Sequence, residues 1–265
     1  MAESFLKKIV KEKQQEVERA KKRVPMEKLL QTMLTLPPVR NFRETLFRPQ
    51  RRSLIAEVKK RIPGSKTWKP KGSVDKLVPA YEQGGARAIS VVTDEKFFGG
   101  KLSLIENVKK LTTLPVLRKD FVIDPYQVYE SRAGRADALL LIAAIIPDKG
   151  LGKLVSLTTS LGMVPVVEVH TAPDLKRATR AGADVILINN RDLATLKVNM
   201  QTVTRLAKLV PRDVQVIAAS GYAEADDLEA LESDRIRAVL VGRAVLEAKD
   251  PDLMLRQWQN TLDTM

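Results

Sequence analysis

The sequence predicts a (β/α)8 barrel, the TIM-barrel architecture, with an N-terminal helical extension, and three observations carry that prediction. Eight short runs are apolar almost without interruption, as parallel strands covered on both faces require. They recur roughly every 20 to 35 residues, and each spacer mixes apolar and charged residues at helical intervals, which leaves room for a crossover helix. No GxGxxG turn marks the start of an open dinucleotide-binding sheet, and open sheets seldom need eight parallel strands.

The elements follow in order. Residues 1–50 precede the first run and carry helical patterns over 4–23 and 26–33, read as an extension that packs on the barrel. Its Lys/Glu-rich first helix reads as a solvated amphipathic helix, with an oligomer contact as the alternative. Strands are expected at 54–56, 88–92, 115–117, 138–142, 164–167, 185–188, 214–218 and 238–241. Helices are expected at 74–83, 102–111, 126–133, 150–161, 173–181, 200–209, 223–231 and 251–262. No linker or low-complexity stretch divides the chain, so residues 1–265 form one domain.

Composition narrows the chemistry. A 44% hydrophobic content fits a globular protein, no run approaches the length of a membrane span, and the first residues are too charged for a signal peptide, which predicts a cytoplasmic protein. With no cysteine and one histidine, His170, thiol nucleophiles and Cys- or multi-His metal sites are excluded. Catalysis then falls to carboxylates, amines and hydroxyls. The net charge of +13 predicts an anionic partner, and residues 51–72 supply +7 of it, with eight Lys/Arg against Glu57. That stretch lacks the interleaved aromatics of a nucleic-acid surface, so a small phosphorylated molecule is the expected partner, with no nucleic acid and no membrane.

In this architecture chemistry sits where the strands end. The first run ends Glu57-Val58-Lys59, whose alternation points both charged side chains the same way. The third ends Lys119-Asp120-Phe121, the fifth Glu168, the sixth Asn189-Asn190-Arg191-Asp192, the seventh Ser220-Gly221 and the eighth Gly242-Arg243. Glycines after the last two strands suit phosphate bound on backbone N–H groups. The composite is an acid–base enzyme for a phosphorylated substrate. His170 reads as a structural residue bonded to a loop carbonyl.

These segments resemble indole-3-glycerol phosphate synthases, from the N-terminal extension to the last strand. The resemblance rests on 55–60 (IAEVKK), 88–100 (AISVVTDEKFFGG), 115–127 (PVLRKDFVIDPYQ), Glu168-Val169, 188–193 (INNRDL) and Ser220-Gly221. It implies a cofactor-free, metal-free closure of 1-(2-carboxyphenylamino)-1-deoxyribulose 5-phosphate to indole-3-glycerol phosphate in tryptophan biosynthesis, with loss of carbon dioxide and water. By the same resemblance Lys119 is the general acid and Glu168 the general base. Lys59 contacts the substrate's anionic groups and delivers a second proton, and Glu57 and Asn189 orient the substrate. Phe98 and Phe121 flank the anthranilate ring, while Arg191, Ser220, Gly221 and Gly242 form the phosphate side; Arg243 beside them reads, from its charge and position alone, as a further phosphate contact or a side chain pointing to solvent. A monomer or weak homo-oligomer is expected.

The chain departs from the family pattern at three places. Ile62-Pro63-Gly64 stands where the family has Ser-Pro-Ser, Ala219 stands where it has Glu, and Arg243 stands where a small hydroxyl residue or an acid is common. The first two lie at the functional end of the barrel. They keep open an alternative, a diverged or engineered barrel redirected to other chemistry on an aromatic or sugar-phosphate ligand, for instance with a Schiff-base lysine.

Overall fold

A computed structural model describes residues 5–49, 51–63, 65, 67–229, 231 and 233–264. Eight parallel strands close into a barrel in sequence order: β1 (Ser53–Val58), β2 (Ala88–Val92), β3 (Val116–Lys119), β4 (Ala138–Ile142), β5 (Val164–Val169), β6 (Val185–Asn189), β7 (Gln215–Ala219) and β8 (Ile236–Val241). The expected strands are all present. β8 begins earlier than expected because a bulge beside Val216 and Ile217 lets Arg237 leave the ladder and bond the Arg48 carbonyl, which breaks the apolar run in the sequence.

The extension holds α1 (Phe5–Arg23), α2 (Met26–Leu34) and α3 (Phe42–Leu46). Around the barrel run α4 (Val74–Gln83), α5 (Ser103–Leu111), α6 (Pro125–Ala133), α7 (Asp148–Ser160), α8 (Ala172–Arg180), α9 (Gln201–Ala207), α10 (Asp226–Glu229), α11 (Arg243–Glu247) and α12 (Pro251–Asp263), with a 3-10 turn at Ala143–Ile145. The helix expected over 223–231 is a single turn, α10, because Asp227 Oδ2 accepts the N–H groups of Ala223 and Glu224 and so delays the start; Ala230, within the expected span, lies outside the described residues. Ser4, Gly64 and Lys66 lie outside them as well. Among the described residues no helix is long and apolar enough to cross a membrane.

Two apolar layers hold the fold. One lies between strands and outer helices, and the other fills the barrel with Ile55, Leu117, Val166, Leu187 and Ile217. The extension contributes to the inner layer at both ends. Phe42 and Leu46 of α3 join it beside the start of β1, where Ser53 Oγ donates to the Leu46 carbonyl, while Ile9 of α1 joins it at the opposite mouth. The expectation of a solvated first helix is therefore corrected for one face of α1. Lys13 is 1% exposed and its ammonium lies 2.9 Å from Asp120, 3.1 Å from Asp94 and 2.9 Å from Glu16. A buried ammonium needs such partners, and three carboxylates supply them.

Candidate active site

A cavity of about 210 Å³ opens where the strands end; Asn190, Asp192 and His170 do not line it, whereas the twelve residues assigned to catalysis or substrate binding do. Strand register brings them together: Val92 pairs with Lys119, Ile142 with Glu168, and Asn189 with Ala219. Lining residues that sequence reasoning missed include Phe5, Leu193, Leu196 and Tyr222. Phe5 reaches the cavity from α1 and meets Phe97 edge-on at 5.5 Å, a contact between distant segments that no local pattern reveals.

Glu57 is the electrostatic centre of one side. Its Oε1 accepts from Lys59 Nζ at 2.8 Å and its Oε2 lies 3.4 Å from Lys119 Nζ. Burial pushes the Glu57 carboxyl up, but the two ammoniums outweigh it and hold the group down at about 2. Burial pushes Lys119 down, and Glu57 and then Glu168 more than offset this, so its pKa is raised and it stays a cation. On the other side Glu168 Oε1 accepts from Asn189 Nδ2 at 3.1 Å. Burial raises Glu168, yet His170, Lys119 and Asn189 together keep it below the ordinary carboxylate range. The cavity therefore holds an ionised carboxylate and a lysine cation facing one space, a pair able to accept and to give a proton.

His170 corrects an expectation. Among the described residues its imidazole meets no loop carbonyl; Nε2 lies 3.2 Å from Glu168 Oε1. The reason is the strand's alternation, which puts positions two apart on one side, carried one residue past the end of β5.

The aromatic wall is formed by Phe98 and Phe121, with ring centroids 6.1 Å apart and planes tilted by 34°. Asp120, beside Phe121, is fixed by Arg118 at 2.9 Å, by Thr93 at 2.6 Å and by Lys13, so the turn after β3 is anchored from three directions.

On the side of β7 and β8, Ser220 (φ 70°) and Gly221 (φ 97°) both take left-handed backbone, and a Cβ on Gly221 would strike Met200. Asn190 Nδ2 donates to the Ser220 carbonyl at 3.0 Å and ties this turn to the end of β6. At Gly242 the crowding comes from Glu57, whose Oε1 would sit 2.5 Å from an added Cβ, so glycine is needed there to admit the carboxylate. The Arg191 guanidinium donates to the Leu196 carbonyl at 2.9 Å. Arg243, two-thirds exposed at the rim, donates to Glu247 at 2.8 Å, and Trp68 from the loop after β1 donates its indole N–H to the same carboxylate. Among the described residues no three of His, Asp and Glu gather as metal ligands.

Fold and site together define the class: a (β/α)8 barrel enzyme with lysine ammoniums and buried carboxylates facing one cavity at the strand ends, suited to an anionic small molecule. The family model for indole-3-glycerol phosphate synthase matches residues 6–258. The chain is 40% identical over 247 residues to the indole-3-glycerol phosphate synthase of Desulforamulus reducens, covering 93% of both proteins. It is also 40% identical to that of Roseiflexus castenholzii, over 94% of this chain and 95% of the relative. Among solved structures, KGPDC from Streptococcus mutans superposes with a TM-score of 0.63 over 81% of this chain and 98% of its own, at 14% identity, a likeness of fold. The chain belongs to the indole-3-glycerol phosphate synthase family, carboxy-lyases of tryptophan biosynthesis.

Proposed function

We propose that this cavity closes the indole ring of 1-(2-carboxyphenylamino)-1-deoxyribulose 5-phosphate with the residues in the following roles. Lys119 gives a proton from Nζ to the ketone oxygen as the aromatic carbon attacks the ketone carbon and the C–C bond forms. Carbon dioxide then leaves the ring carbon. Glu168 removes one proton from the methylene carbon next to the nitrogen, and Lys59 protonates the hydroxyl on the neighbouring carbon, so that it leaves as water and the indole double bond forms. Glu57 and Asn189 orient the substrate, Phe98 and Phe121 flank its aromatic ring, and Arg191, Ser220, Gly221, Gly242 and Arg243 take the phosphate side.

One observation carries the reading: Lys119 lies 3.4 Å from the Glu57 carboxylate and its pKa is raised, which suits a donor. The same observation weighs against a Schiff-base lysine, which must lose its proton to attack a carbonyl. Ala219 in the cavity wall favours the redirected barrel instead, because it removes a carboxylate from the family pattern.

Incubation with the carboxyphenylamino-deoxyribulose phosphate decides between them. Indole fluorescence should rise with time, and a flat trace from folded protein would overturn the synthase reading. In solution we expect a monomer or weak homo-oligomer that binds no nucleic acid, to be checked by light scattering and gel shift.

A further inference from the structure

His170 is the chain's one histidine, and the reaction as assigned does not use it. Its backbone is pinned. Asp174 Oδ2 accepts the N–H groups of His170 (3.3 Å) and Thr171 (3.1 Å), while Thr171 Oγ1 accepts the N–H of Asp174 at 3.2 Å, a reciprocal cap that starts α8. The imidazole is thus aimed by a rigid turn. Its side chain is 8% exposed, and Nε2 is buried 3.2 Å from Glu168 Oε1, an ion-pair contact rather than an aligned hydrogen bond.

Asn189 reaches that same oxygen. Among the described residues, every close polar contact to the Glu168 carboxylate falls on Oε1, from one side chain on β6 and one just past β5. Oε2 carries none of these contacts, and Glu168 lines the cavity. A carboxylate base takes its proton on one oxygen, and contacts to the other decide where that oxygen points.

We propose that His170 is a positioning residue for the base: with Asn189 it holds Oε1 of Glu168 and so presents Oε2 to the substrate. The proposal rests on the assignment of Glu168 as the base. The groups facing the imidazole are Glu168 from β5, Asp174 from α8 and Asp192 from the turn after β6; Lys119 from β3 faces Glu168, and Arg177 of α8 lies 3.9 Å from Asp174. Burial disfavours the imidazolium, and the three carboxylates outweigh burial, so the ring stays charged to higher pH than a free histidine. A charged ring attracts Oε1 as an ion pair, which a neutral ring cannot do.

A single histidine makes the contact directly observable, since the intact protein gives one set of imidazole resonances. Its titration by NMR should lie above 6.5, and Glu168→Gln should shift it down toward that value. In turnover, His170→Leu should lower kcat by about 10- to 100-fold, the cost of a misplaced catalytic group, with KM and inhibition by inorganic phosphate unchanged within about twofold. His170→Gln should recover most of that loss, because its amide N–H reaches the place of Nε2. An imidazole that titrates normally and ignores Glu168→Gln would overturn the proposal, as would a folded His170→Leu enzyme with parental kcat. The NMR measurement needs no turnover, so a protein inactive on this substrate would defeat the synthase reading and leave the His170–Glu168 contact to be decided separately.

Discussion

Lys119 and Glu57 show how one residue sets another's charge at the mouth of the barrel. With its ammonium beside an ionised carboxylate, Lys119 remains a donor throughout the neutral range. Its replacement by Met should lower kcat by about 10² to 10⁴, the usual loss for one positioned proton donor, while urea unfolding stays near the parent. Turnover within threefold of the parent would remove Lys119 from the role. Ala219, 3% exposed and paired in register with Asn189, tests the departure from the family. If the pocket still runs the family reaction, Ala219→Glu should raise kcat/KM by about tenfold, the worth of one added charge-assisted hydrogen bond of ~1.4 kcal/mol. A fall in melting temperature without a gain in rate would instead identify a pocket reshaped for another ligand, with the new carboxylate left unsatisfied. The side that each of these residues faces was legible from alternation and strand ends alone. The crowding of Glu57 against Gly242 was not, because it joins the first and last strands across the closure of the barrel.

At the scale of elements, α1 carries the main surprise. Its buried stripe runs Ile9, Lys13, Val17, Ala20, a helical period in which one position is a lysine. The sequence reads as a solvated amphipathic helix, which does not show which lysine is buried. The structure surrounds it with Glu16 on its own helix, Asp94 after β2 and Asp120 after β3. Lys13→Met removes the cation that Glu16, Asp94 and Asp120 share, leaving only Arg118 on Asp120, and should destabilise the protein by about 3 to 5 kcal/mol, read from urea unfolding. Because Asp120 anchors the turn between Lys119 and Phe121, kcat should fall as well. Stability equal to the parent would mean that the cluster contributes nothing to holding α1. Helices α6 and α8, expected from spacing, start on capping boxes at Asp124 and Thr171, each with proline in the first turn. The short α10 was harder to read because a side-chain bond displaced its start.

Over the whole molecule, buried acids and their cations link stability to pH. Glu57, ordinarily near 4.5, sits at about 2, and Asp120 and Glu168 are also lowered. A lowered acid stabilises the fold above its unfolded value and loses that contribution as pH falls through its folded one. Stability should therefore drop as pH falls from about 5 toward 2, and Glu57→Gln should flatten part of that slope; a parallel slope in the variant would exclude Glu57 as a source. Lys13 and His170 act in the opposite sense, since both are raised. The contribution of Lys13 is complete below 10.5 and lost at higher pH, and that of His170 is complete below 6.5 and lost as pH rises further. The sequence by itself determined the barrel, the order of its strands and which residues stand at their ends, because these follow from apolar runs of fixed spacing and from alternation along a strand. Only the tertiary structure decided which charges meet: Lys13 with Asp120, Lys119 with Glu57, and His170 with Glu168. Two of those pairs join segments far apart in the chain, and all three gain their strength from burial that the closed barrel and the packed extension create.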